Sequence, residues 1–249
     1  MLILLPPSET KRPGGRGGPL EPSGLALPSL APERERVVDA LVELAKDEDA
    51  AARVLGLGAK QRGEIAHNAR LRTAPTMRAV DRYTGVLYDA LDAANLDAVA
   101  RRWLGSHVLI HSAPFGPVGA LDAIPAYRLG ATASLPGLPS LRRVWADSVG
   151  RALAARSEAF VLDLRSEAYV ALGPLPSELP QAYVRVVTRT EGGAVRALNH
   201  FNKHAKGDLV RRLAQERPRV RSVPALLRWA VASGVELTPG DDGELNLIA

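Results

Sequence analysis

With 249 residues, 46% of them hydrophobic and 24% charged, the chain is long enough to bury a substantial core and too apolar for a disordered one. Its formal charge of +5 is modest, and the absence of cysteine excludes disulfides, thiolate metal sites, iron–sulfur ligation and thiol peroxidase chemistry. MLILLPPSETK has neither the positive start nor the apolar length of a signal segment, and no stretch reaches the roughly 20 apolar residues of a membrane helix, so a soluble, cytoplasmic protein without a membrane partner is expected.

In chain order, MLILL suits a short buried strand stopped by Pro6 and Pro7, followed by a Gly/Pro-rich loop to Pro32. From Glu33 to Lys46 apolar residues recur with helical spacing at Val37, Val38, Leu41, Val42, Leu44 and Ala45. Two further helical stretches, Ala50 to Leu55 and Lys60 to Leu71, are separated only by Gly56-Leu57-Gly58-Ala59. Thr76 to Leu91 is expected to be helical with a break at Gly85, and Leu96 to Leu104 forms another helix. HVLIHSAPFG is a strand running into a loop, and a Pro/Gly-rich loop to Pro139, a helix from Leu141 to Ala155 and a strand at Phe160 to Leu164 follow. YVRVVTRT and AVRALNHF alternate polar and apolar residues around Glu191-Gly192-Gly193, a hairpin pattern. Helices near Asp208 to Glu216 and Val223 to Ala232, and a strand at Leu245 to Ile248, complete the chain. Without an internal repeat, the pattern predicts one α+β domain over 1–249, a central mixed sheet surrounded by helices with a helical insertion at about 33–104.

Around Gly56 the segment from Ala51 to Ala66 places Leu-Gly-Leu-Gly between two short helices. Glycines let the backbone approach a ligand closely, and a second helix would open with unpaired N–H groups and the positive end of its dipole. Lys60 and Arg62 add cations where a phosphate would lie. Gly56, Gly58, Lys60 and Arg62 are therefore candidate DNA-backbone contacts in a helix-hairpin-helix element, with a plain turn between helices as the alternative.

Only five lysines accompany 27 arginines, an excess that matches GC-rich codon usage and gives each lysine position weight. Lys203, Lys206, Arg211 and Arg212 form a basic segment after the hairpin, with Gly207-Asp208 as a helix entry; such a segment holds phosphates or forms a solvated face. His107 and His111, like His200 and His204, are four apart but lack the carboxylate or thiolate partners of a metal site, and neither metal nor cofactor is expected. Ser8, Glu9, Thr10 and Lys11 follow the first strand, and Asp122, Tyr127 and Arg128 lie beyond HVLIHSAPFG. Loops at strand ends build the pockets of open α/β sheets. The first loop has neither P-loop spacing nor a GxSxG elbow.

LLPPSETK, LGLGAKQRGEIAHN, RYTGVLYDAL, HSAPFGPVGALDAIPAYRL, FVLDLRSEAYVAL and FNKHAKGDLVRRL, in this order, resemble the YaaA peroxide-stress protein family in its actinobacterial-type branch with PPSE near the start, from Met1 to about Leu213. The resemblance implies a cytoplasmic bacterial protein with a family-specific fold and a helix-hairpin-helix element. It also implies binding of duplex or branched DNA with low sequence specificity through a basic cleft, limiting oxidative damage. It adds Tyr83, Gly85, Tyr88, Glu167, Tyr169 and Gly207 to the cleft candidates. The more familiar branch differs, with SPAKT where this chain has PPSETK and KKARG where it has KHAKG.

The leading expectation is thus a DNA-binding stress protein. The competing one is an enzyme acting on nucleic acid or a small phosphorylated ligand in a pocket of Ser8, Glu9, Lys11, Asp122, Tyr127, Arg128 and Lys203, where a lysine activated by burial attacks a damaged sugar. Iron sequestration has no ligand set to support it, and the oligomeric state is open.

Overall fold

The computed structural model describes residues 1–156, 160–189, 195–197 and 201–248. Strand β1 (Leu2–Leu5) is buried along its whole length. After a long loop come α1 (Ala31–Leu44) and α2 (Glu48–Leu55), a 3-10 helix at Ala59–Glu64, α3 (Ile65–Ala69), β2 (Met77–Arg78), α4 (Ala79–Arg82), α5 (Val86–Leu91) and α6 (Ala98–His107). The chain continues through β3 (Val108–Ser112), β4 (Gly116–Gly119), β5 (Ala123–Ile124), α7 (Leu141–Ala154), β6 (Val161–Asp163) and α8 (Glu167–Leu172). It ends with β7 (Gln181–Arg189), β8 (Val195–Ala197), α9 (Phe201–Glu216), α10 (Val223–Ala232), β9 (Leu237–Pro239) and β10 (Leu245–Ile248).

The main sheet runs β4-β3-β1-β6-β7-β10-β9, with β8 antiparallel to the far end of β7. Five strands, β3, β1, β6, β7 and β10, are mutually parallel, while β4 and β9 are antiparallel to their neighbours. Ile3 stands between Val108 and Leu162 in the register. Covered on both faces, β1, β3 and β6 are buried along their whole length, and apart from His111, Ser112 and Asp163 at their carboxyl ends they are apolar, as buried parallel strands require. The chain leaves β1 for β3 on one side and later supplies β6 on the other, so the strand order reverses at β1. The expected mixed sheet with surrounding helices is therefore present.

Several local expectations change. Thr76 to Leu91 is not one interrupted helix: residues 77–78 pair with β5, and Gly85, at φ 93°, separates α4 from α5. The Pro/Gly-rich stretch holds β4 and β5, because partners distant in sequence override weak strand propensity. Helix α9 begins at Phe201, so Gly207 lies inside it and is not its entry. A Cβ at Gly207 would meet the Leu87 carbonyl oxygen at 2.1 Å, and only glycine lets α9 pack this closely on α5. The expected turn at Glu191-Gly192-Gly193 and His200 lie outside the described residues.

Two fully buried arginines fix the loops around the sheet through hydrogen bonds to backbone carbonyls. Arg34 donates to the carbonyls of Phe115, Pro22, Ala26 and Pro117. Arg82 donates to those of Ile124, Arg12 and Pro75. Each guanidinium spreads several N–H groups over backbone oxygens of segments distant in sequence and so ties those segments together.

Candidate functional site

The carboxyl ends of β1, β3 and β6 lie side by side where the strand order reverses, the position at which open α/β sheets place ligands. The loop leaving β1 is knitted to the connection between α4 and α5. Thr84 N donates to Thr10 O, Arg12 N donates to Arg82 O, and Lys11 forms an isolated bridge with Tyr83. Tyr88 Oη donates to Pro6 O at 2.8 Å. Gly85 supplies the positive φ of this crossing, with the Ser8 and Thr10 hydroxyls 3.4 Å from where its Cβ would be.

This arrangement carries Lys11 Nζ inward. Nζ donates to Ser8 O at 2.9 Å and Glu9 O at 3.2 Å, and lies 4.0 Å from the Tyr127 ring centroid and 5.5 Å from that of Tyr83. The Tyr83 and Tyr127 hydroxyls hydrogen-bond at 2.8 Å, and Tyr83 stacks on Tyr88 with centroids 5.1 Å apart. Burial first, then the Arg128 charge, push the Lys11 pKa down to about 7, opposed by Glu64 and Glu9. Burial moves the phenols of Tyr83, Tyr88, Tyr127 and Tyr169 upward, so they stay neutral. Arg128 closes the rim, 3.1 Å from Glu9 and 3.5 Å from Glu64. Its backbone is clamped by the Asn68 amide, which donates to Arg128 O and accepts from Arg128 N, both at 2.8 Å.

Deeper in the sheet, Asp163 accepts from Arg165 N at 3.0 Å, Nε at 2.9 Å and Nη2 at 2.6 Å. Arg165 Nη1 also meets His111 Nδ1 at 2.9 Å and Gly173 O at 2.8 Å. Since arginine only donates, His111 Nδ1 accepts and its Nε2 carries the proton. Burial and Arg165 lower the His111 pKa and keep the ring neutral, and Nε2 has no partner among the described residues. The His111 ring is 5.9 Å from that of Tyr169. Lys206 Nζ donates to Arg165 O at 3.5 Å and lies 5.4 Å from the Tyr183 ring. Burial lowers its pKa to about 8, with Asp163 pulling upward and Arg185 downward.

Of the residues chosen from sequence, Ser8, Glu9, Lys11, Tyr83, Tyr88, Tyr127, Arg128 and Tyr169 belong to this end of the sheet. Asp122 serves elsewhere: its Oδ2 accepts from Gly119 N at 2.7 Å and Ala26 N at 2.6 Å, stapling two loops. Glu167 is exposed, 3.3 Å from Arg185. Gly56 caps α2 at φ 63°, and Gln61 Oε1 accepts from Gly58 N at 3.3 Å. In place of one helix over 60–71, the chain makes the 3-10 helix and the short α3, consistent with the low helix propensity of Gly63. Lys60 and Arg62 are exposed, Arg62 lying 2.6 Å from Asp49.

The basic segment divides. Lys203 is exposed and Lys206 buried, Arg211 donates to Leu91 O at 3.0 Å and Asp92 O at 2.9 Å behind α5, and Arg212 donates to Ser233 O. Sequence reasoning missed Arg34, Arg82, Asp163 and Arg165; only Asp163, a carboxylate inside the apolar run FVLDL, carries a visible signal. Among the described residues, no group of three or more His, Asp or Glu side chains is placed to hold a metal. Two open clefts of about 480 and 610 Å³, one along α9 and one beside Gly15 to Gly17, share no residue with the Lys11 cluster.

The family model described as peroxide stress protein YaaA matches residues 1–232. The chain belongs to the YaaA peroxide stress protein family. A UPF0246 protein of Corynebacterium glutamicum is 41% identical over 254 residues covering 100% of both chains, and one of Corynebacterium efficiens is 42% identical over the same coverage. A UPF0246 protein of Streptomyces coelicolor is 45% identical over 217 residues, 86% of this chain and 82% of its own. These relatives are named without an activity, while the YaaA family carries the association with peroxide stress. No helix among the described residues is long and apolar enough to cross a membrane.

Proposed function

We propose that this YaaA-family protein acts in the cytoplasm under peroxide stress by gripping the backbone of duplex or branched DNA with low sequence specificity. The grip runs along the face where the 56–62 turn, a helix-hairpin-helix-like contact, meets the mouth of the Lys11 cluster. The observation that carries this reading is Arg128, which bridges Glu9 in the loop after β1 and Glu64 in the 3-10 helix. It brings the exposed Lys60 and Arg62 limb alongside the carboxyl edge of the sheet. The Arg62 pair with Asp49 is exposed on both sides, so exchanging it for a phosphate costs little. Lys203 remains an available contact, whereas Lys206, Arg211 and Arg212 act within the fold.

Binding by phosphate neutralisation releases counterions, so affinity falls steeply with salt and hardly varies with sequence. The double substitution Lys60→Glu with Arg62→Glu is expected to weaken binding to unrelated duplexes equally in a low-salt mobility-shift assay. Binding as tight as that of the unmodified chain would overturn the reading.

A further inference from the structure

We propose that Lys11 is an aldehyde-capturing amine, whose Nζ forms an imine with the ring-opened C1′ aldehyde of a phosphorylated deoxyribose, the sugar left when DNA loses a damaged base. The choice of DNA as the source of that sugar rests on the DNA reading; the aldehyde chemistry stands on the geometry around Lys11.

That geometry has three parts. Ser8 O and Glu9 O take two N–H bonds, so in the neutral amine the one remaining tetrahedral position on Nζ is the lone pair. Tyr127 and Tyr83 wall the amine with neutral rings, surroundings that disfavour water and favour dehydration of the adduct. Arg128 stands at the rim with a side chain only 13% exposed, paired to a Glu9 carboxylate that is 80% exposed. A sugar phosphate can displace that carboxylate and take the guanidinium's bidentate donors. Because burial and Arg128 bring the Lys11 pKa to about 7, a large fraction of chains carries the free amine at neutral pH. Lys206 has a similar shift but is only 4% exposed, which denies it a substrate.

The step balances without an oxidant or reductant. Nζ adds to C1′, the aldehyde oxygen takes the proton that the nitrogen gives up, and a second proton transfer from nitrogen lets that oxygen leave as water. One amine and one aldehyde give one C1′=Nζ imine and one water.

The test incubates the full chain with a duplex bearing one abasic site and, separately, with 2-deoxyribose 5-phosphate, followed by sodium borohydride, which reduces the imine to a stable amine. The expected result is a covalent adduct mapped by peptide mass spectrometry to Lys11. It should be absent with the tetrahydrofuran analogue of the abasic site, which has no aldehyde, and lost in Lys11→Arg, which keeps the charge. Trapping on the duplex identifies DNA as the source and trapping on the free sugar phosphate alone identifies the small molecule; either supports Lys11 as the amine. No adduct with either probe, or an adduct mapped to the N-terminus or another lysine, overturns the proposal. Because the mapping is done on the unmodified chain, it does not depend on how the variant folds. A mobility shift on the same duplex separates the two readings: a retained shift without an adduct overturns imine formation alone, and a Lys11 adduct with the free sugar but no shift overturns DNA binding alone.

Discussion

Lys11 and Lys206 stand at the same end of the sheet, and burial disfavours the charge of both, yet their surroundings differ in kind. Lys206 projects from a packed helix into a sealed interior, where Asp163 is already engaged by three nitrogens of Arg165 and the ammonium rests against the Arg165 carbonyl. Lys11 comes from a loop at a strand end, held by two carbonyls, with an arginine and two partly exposed carboxylates around it. Burial alone therefore does not nominate a site. Whether a suppressed charge becomes part of the scaffold or usable chemistry depends on whether the group faces packed elements or a loop-lined rim.

The strongest way to break this contrast is Asp163→Asn. It leaves Arg165 without its buried carboxylate and Lys206 without the negative charge that favours its ammonium, and it should cost about 3–5 kcal/mol in urea unfolding. Glu9→Gln at the Lys11 rim should cost at most about 1 kcal/mol, since that pair is exposed on the glutamate side. Equal losses would mean that the two ends of the cluster are energetically alike. Gly207→Ala, next in size, should cost about 1–3 kcal/mol by forcing α9 away from the Leu87 carbonyl, and an unchanged urea midpoint would show that this contact yields freely.

A smaller effect is read from pH. Lys11 has a folded-state pKa of about 7 against the ordinary 10.5, so between these values the unfolded chain holds a proton that the folded chain has released. The stability of the unmodified chain relative to Lys11→Met should rise with pH across that window and stay flat below it. For Lys206→Met the rise should begin near 8, and a flat difference for Lys11 would place its amine in ordinary solvent.

Much of the frame was legible in the sequence. LILL before two prolines has no other comfortable state than a buried strand, and α1, α7 and α10 follow their apolar periodicity. By contrast, β2, β4, β5 and β9 are two to four residues long, and β4 is largely glycine and proline; their pairing comes from partners elsewhere in the chain. In the site, Lys11, Tyr127 and Arg128 were accessible because strand ends gather ligand-binding loops, whereas Tyr83, Tyr88 and Tyr169 came only through resemblance. Asp122 accepts a bond from Ala26, 96 residues away, and such a staple leaves no local pattern. Arg34, Arg82 and Arg165 were hidden for a different reason. An arginine solvated by backbone carbonyls has the same neighbours in sequence as one solvated by water, and 27 arginines make each inconspicuous.

The place of β1 bears on how the molecule is made. Its neighbours in the sheet begin at Val108 and Val161, so the first strand synthesised has no partner until more than a hundred further residues have emerged, and its second edge stays open longer still. Closures of that length cost chain entropy before any contact forms, which makes such pairings slow, and an apolar strand with open edges invites association with other chains meanwhile. The segment that anchors the finished site is thus the one most in need of shielding while the chain is still being made.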